Sequence, residues 1–227
     1  MPSPTENYPP LLSLAVHEFR TPASVVGGYL RMLLRDSELN ERQHKMIEEA
    51  EKSCARLVAI VAELGDIGKL DSGAISLSRQ PLDFFALTRE VAELVHEGRE
   101  REVQLVLRGG EAEAPIVGDA TRLKHAIESI FRAILRERAG PATVVADRRR
   151  DIRDGRSSAV LVVAGERDVS AAYEAEPGVF DDKRGGLGLA LPLARRVVTG
   201  LGGTISSPAA PDSLARGSIV VRIPLTE

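Results

Sequence analysis

The chain has 227 residues, 43% of them hydrophobic, and a formal net charge of −3. That is enough apolar surface for a buried core and excludes a disordered chain. Mild acidity, 4% aromatic residues and no Trp argue against a nucleic-acid partner, which needs a basic face or stacking platforms. No stretch approaches the ~20 apolar residues of a membrane span, and the polar opening Met1–Pro10 lacks the apolar core of a signal peptide. The lone Cys54 cannot form an internal disulfide and fits a reducing cytoplasm. It reads as a packed side chain.

The first third reads as a helical hairpin. Apolar residues recur at helical spacing from Leu11 to Leu34, through Leu14, Ala15, Phe19, Val25, Val26, Tyr29, Leu30 and Leu33. Asp36 to Asn40 is a polar break, and Asn40 with Gln43 has the form of an N-cap and capping box. A heptad seam follows on the second helix: Met46, Ala50, Ser53, Leu57, Ile60, Leu64, Ile67. Two helices cannot bury that seam by themselves, whereas two copies paired as a four-helix bundle can. Gly65, Gly68 and Gly73 punctuate the exit and place a domain boundary near Ser72. The expected organisation is a flexible stretch over residues 1–9, the hairpin over 10–72 and a second domain over 73–227.

That second domain reads as mixed. Ile75–Leu77 is expected as a short strand, and Asp83 as the cap of a helix reaching about His96. Val103–Leu107 alternates as a strand, and Asp119 caps a helix through about Arg138. Ala142–Ala146 and Ala159–Val163 are β-branched strands, and the charged stretch Arg148–Arg156 between them reads as a solvated hairpin loop. Leu187–Val198 reads as helix, with closing strands at Thr204–Ser206 and Ser218–Ile223. Strands beside segregated helices make the fold class α+β, with this part an α/β sandwich.

His17 stands out on the first helix. Glu18 beside it can hold or take a ring proton, as a histidine nucleophile requires. Thr21 lies one helical turn on and is placed to position a water. Pro22 removes a helical hydrogen bond to the Glu18 carbonyl and loosens the reactive turn. His44, His96 and His125 carry no such neighbours and read as ordinary helix residues.

The segment Ser13-Leu14-Ala15-Val16-His17-Glu18-Phe19-Arg20-Thr21-Pro22 resembles the H-box of sensor histidine kinases. Gly28-Tyr29-Leu30 and the run Leu64 to Gly73 resemble that family's dimerisation and phosphotransfer hairpin, and the likeness continues to the C-terminus. The resemblance implies that His17 carries a phosphoryl group, that Glu18 assists and that Thr21 supports phosphatase activity. It implies a homodimer, a response-regulator receiver domain as partner, and a second domain of the histidine-kinase ATPase type.

The family's nucleotide motifs are altered. Aligning the helix from Asp119 puts Ser129 and Ala133 where two asparagines normally stand, the second of which holds the magnesium of Mg-ATP. An alanine offers no oxygen to a hard cation. Arg136 keeps a positive charge where a lysine normally meets phosphate. After the strand ending Val163, Ala164-Gly165-Glu166-Arg167-Asp168 replaces the family's adenine-binding Asp-x-Gly-x-Gly. Only Asp181 to Arg184 separates Phe180, which resembles the family's lid phenylalanine, from the glycine-rich turn, too short a tether for a closing lid. Gly185-Gly186-Leu187-Gly188 resembles the intact phosphate turn, whose amides hold phosphate at a helix N-terminus, yet its glycines also serve close packing.

The remaining candidates for a nucleotide are therefore Ser129, Arg136, Gly185, Gly186 and Gly188, and no protein metal ligand is assigned. ATP and magnesium are expected only if autokinase activity survives. The favoured reading is a phosphotransferase or phosphatase working through His17 with the kinase half degenerate. The alternatives are an active autokinase with an atypical site and a non-enzymatic dimeric scaffold.

Overall fold

Helix α1 (Tyr8–Leu33) and helix α2 (Glu41–Asp71) form the hairpin. A computed structural model describes residues 8–36, 38–153, 155–209 and 217–226. The chain divides between Ser76 and Leu77 into two compact units. The flexible stretch expected over residues 1–9 lies mostly outside the described residues, and its last two are the first of α1.

The turn between the helices is fixed by the anticipated capping box. Asn40 Oδ1 accepts from the Gln43 amide at 3.0 Å, and Gln43 Oε1 accepts from the Asn40 amide at 3.0 Å. Each helix carries two apolar stripes roughly a quarter-turn apart at 100° per residue. On α2 the stripe against α1 runs through Cys54, Val61, Gly65 and Gly68. Cys54 Sγ donates to the Ala23 carbonyl at 3.2 Å. A Cβ on Gly65 would lie 3.1 Å from Val16, and one on Gly68 would lie 2.8 Å from Leu12. These two glycines therefore lie inside α2 and let α1 approach. They do not punctuate its exit, which comes at the Ser72 cap. The stripe expected as a seam is the other one, with Met46 and Leu57 exposed but Ile67, at its end, buried. On α1 the matching exposed apolar face holds Leu11, Leu14, Phe19, Val25, Val26, Tyr29 and Met32.

Unit 2 holds a six-stranded sheet in the order β2-β4-β5-β8-β7-β6. Its strands are β2 (Val103–Gly109), β4 (Ala142–Arg153), β5 (Arg156–Gly165), β6 (Pro177–Gly178), β7 (Thr204–Pro208) and β8 (Ile219–Pro224). Among the described residues only β2 and β4 pair in parallel. A separate antiparallel pair joins β1 (Gln80–Asp83) to β3 (Pro115–Gly118). The strand expected at Ile75–Leu77 does not form; the pairing begins instead at Gln80.

Helices α3 (Phe84–Leu94), α4 (Ala120–Arg136) and α6 (Ala190–Gly200) cover one face of the sheet. Asp83 caps α3 through the Phe85 amide at 2.9 Å and also accepts from the Ala114 amide at 3.0 Å, tying the helix start to the chain entering β3. Asp119 caps α4 through the Arg122 amide at 3.0 Å. Leu123, Ile127, Ile130, Phe131 and Ile134 of α4 pack against Val144, Leu161, Val163, Ile219 and Val221 of the sheet.

The opposite face is also apolar. Val145, Val160, Val162, Ala164 and Val220 form a second core with Val169 and Ala172 of a short helix, α5 (Val169–Glu174). Strands buried on both faces read as continuous apolar runs, as Ala159–Ala164 does.

The charged stretch from Arg148 is strand and not a solvated loop, because β4 runs on to Arg153 and β5 begins at Arg156. Alternation explains how strand geometry absorbs the charges. Arg148 is buried and donates to the carbonyls of Phe85 at 2.9 Å and Gly109 at 2.7 Å. On the other face Asp147 accepts from Arg149 Nε and from the Tyr173 hydroxyl, each at 2.8 Å. Arg149 lies 4.2 Å over the Tyr173 ring, which pins α5 to the sheet.

Candidate phosphotransfer site and the altered nucleotide cleft

His17 is 77% exposed at its side chain, and its Nδ1 lies 3.5 Å from Glu18 Oε1. A proton on Nδ1 facing the carboxylate leaves Nε2 with its lone pair as the nucleophile. The Thr21 hydroxyl lies on the same turn and donates to the His17 carbonyl at 3.3 Å. Pro22 sits inside α1 and supplies no amide to the Glu18 carbonyl. The three residues singled out from the sequence are therefore brought together, with nothing from α2 closing over the ring.

The residues assigned to a nucleotide are differently placed. Ser129 Oγ donates back to the His125 carbonyl at 2.8 Å. Arg136 Nε donates to Glu97 at 3.0 Å, and Arg132 Nε reaches the same carboxylate at 3.2 Å. Ala133 is fully buried, and Gly185 rests on it: a Cβ at 185 would lie 2.5 Å from the Ala133 Cα. Gly185, Gly186 and Gly188 have φ of 63°, 59° and 70°, which favours glycine. Ala164, at the position of the adenine acceptor, is buried in the second core. From there the chain crosses to α5, on the face of the sheet away from α4. A shallow surface pocket lined by Ala172, Glu176, Ser206 and Arg222 lies on that same far face. These residues do not fit a magnesium nucleotide: no oxygen stands at 133, no acceptor at 164, and the surviving cation is already paired.

Sequence reasoning missed Arg184. Its side chain is buried, and all three guanidinium nitrogens donate hydrogen bonds. Nε donates to Glu137 Oε1 at 2.9 Å with Nη2 completing the fork, and the Ser218 and Gly217 carbonyls accept at 3.0 and 2.8 Å. An arginine directly before a glycine-rich turn was the available signal, but its partner, Glu137, is 47 residues away in the chain.

Burial alone would push the Glu97 carboxyl up; hydrogen bonds and charges from Arg136 and Arg132 outweigh it and hold the group below its ordinary 4.5. A depressed folded pKa stabilises while the group is ionised, and that stability is lost as pH falls through the folded value. The urea midpoint should therefore drop below pH 4.5, and less steeply in Glu97→Gln. Equal slopes would contradict the assignment.

Residues 11–73 match the His Kinase A (phospho-acceptor) domain. The signal transduction histidine-protein kinase BarA of Escherichia coli is 28% identical over 218 residues, 89% of this chain and 23% of that protein. The sensor histidine kinase GacS of Pseudomonas protegens is 27% identical, covering 92% of this chain and 24% of the relative. The chain thus spans about a quarter of these relatives' length. Among solved structures, full-length ShkA with AMPPNP superposes with a TM-score of 0.70 at 24% identity, covering 96% of this chain and 46% of that one. AdeS of Acinetobacter baumannii gives 0.57 at 16% identity, covering 93% of this chain and 98% of that one. Among the described residues no helix is long and apolar enough to cross a membrane. Residues 11–73 thus form a phospho-acceptor hairpin that keeps its histidine, and along nearly its whole length the chain is similar to sensor histidine kinases and shares their fold.

Proposed function

We propose that this chain is a phosphotransfer protein of a two-component relay, with His17 exchanging a phosphoryl group with a receiver-domain aspartate and with autokinase activity lost or weak. The observation that carries this reading is the contrast between the halves. His17, Glu18 and Thr21 stand together and exposed, while Ala133 lies buried under Gly185. In the forward step Nε2 attacks the phosphorus of the aspartyl phosphate. The N–P bond forms, the acyl O–P bond breaks, and the aspartate leaves as carboxylate. No ATP is consumed. One structural relative, ThkA, is held in complex with the response regulator TrrA, with a TM-score of 0.55, 16% identity and cover of 98% of this chain and 63% of that one.

The working form is a homodimer. The outward stripes of α1 and α2, which include Phe19, Tyr29 and Leu57, are exposed, and a second hairpin covers them as a four-helix bundle. A reducing cytoplasm suits the free Cys54. Light scattering should give twice the chain mass for the wild type and a shift toward monomer for Leu57→Arg. A wild-type monomer would remove the bundle from this account.

Thr21 supports hydrolysis of the receiver's phosphate by positioning water. Thr21→Ala should slow that dephosphorylation by about a hundredfold, the low end of the range general for positioned proton chemistry, and leave transfer to His17 intact. Unchanged dephosphorylation would strip Thr21 of the role.

A further inference from the structure

We infer that the turn from Arg184 to Gly188 is a permanent occupant of the nucleotide cleft, locked by Arg184 and wedged by Gly185, so that unit 2 is a closed scaffold indifferent to nucleotide. The inference rests on reading unit 2 as a histidine-kinase ATPase fold and goes further: the one motif that looks intact has been turned to packing.

Two contacts carry it. Gly185 meets α4 at Ala133, the position that would hold magnesium, closely enough that any side chain at 185 would strike the Ala133 backbone. One turn further on, at the cap that ends α4, Glu137 takes the Arg184 fork, and the same guanidinium binds the carbonyls of residues 217 and 218 at the head of β8. The turn is therefore joined to α4 and β8 together. A bidentate, largely desolvated arginine pair is among the stronger and most directional contacts a side chain makes. A bound triphosphate would have to draw Arg184 off Glu137 and Arg136 off Glu97, leaving two carboxylates beside its own negative charge. Phe180 is buried four residues before Arg184, so the connecting segment is anchored at both ends and has no slack to swing open as a lid.

The test uses the full chain, an arginine-specific protease and mass-spectrometric mapping of cleavage at the Arg184–Gly185 bond, with and without Mg-ATP. The wild-type bond should be cut slowly and at the same rate in either condition. Glu137→Gln should be cut at least tenfold faster there, with other sites unchanged. Arg184→Lys provides the second variant, with a lysine-specific protease in place of the first. Protection of the wild-type bond by Mg-ATP, or saturable binding of a fluorescent ATP analogue that ATP displaces, would overturn the inference. So would wild-type cleavage as fast as in Glu137→Gln. Should a variant unfold, the wild-type comparison with and without Mg-ATP still decides. Failure of His17 to exchange phosphate with a receiver would instead overturn the function proposed above and leave these results standing.

Discussion

Ala133→Asn, which puts back the side chain the family uses for magnesium, is expected to destabilise unit 2 by about 1–3 kcal/mol and to create no nucleotide binding. Ala133 is fully buried. Gly185 packs directly on the Ala133 backbone. An asparagine there must displace the turn or bury an amide without partners, and each alternative alone costs about 1–3 kcal/mol. Urea denaturation followed by circular dichroism measures the loss. Gly185→Ala and Gly186→Ala supply the internal control. Both glycines have positive φ, but a Cβ at 186 meets nothing within 4 Å, whereas one at 185 strikes backbone. The 185 variant should lose more stability. An Ala133→Asn protein as stable as wild type would mean that the cleft is open.

His17→Ala is expected to abolish phosphoryl uptake from a phosphorylated receiver domain while leaving the fold intact. The ring is 77% exposed and contacts Glu18 alone among the described polar groups, so its loss should change stability by no more than about 0.5 kcal/mol. Residual uptake in the variant, with label mapping elsewhere, would move the acceptor off His17. Glu18→Gln should keep part of the rate, because the amide oxygen still accepts from Nδ1 but no longer stabilises the charge that builds on the ring.

What could be read from the sequence follows from how local each signal is. The His17 constellation was legible because one helical turn holds all of it. The Asn40, Asp83 and Asp119 caps were legible because an N-cap side chain bonds amides two or three residues away. Two features were misread where local composition and tertiary packing disagree. Gly65 and Gly68 look like helix breakers but serve the approach of α1. The Arg148–Arg156 stretch looks like a loop by charge, yet Arg148 is buried because carbonyls of Phe85 and Gly109 converge on it from distant segments. The closing of the nucleotide cleft was half legible. The missing acceptors at 133 and 164 could be read from the alignment of motifs, but the Arg184–Glu137 clamp could not, since only the fold brings α4 and the turn before α6 together.

The most direct measurement is radiolabel transfer to the purified chain from two donors in parallel, Mg-ATP and a phosphorylated receiver domain, scored as acid-labile, base-stable label with His17→Ala alongside. The account predicts label from the receiver, none or a trace from Mg-ATP, and none on the variant from either. Strong His17-dependent label from Mg-ATP would contradict it, and would mean that a working kinase site has been built without an acceptor at 133 or 164.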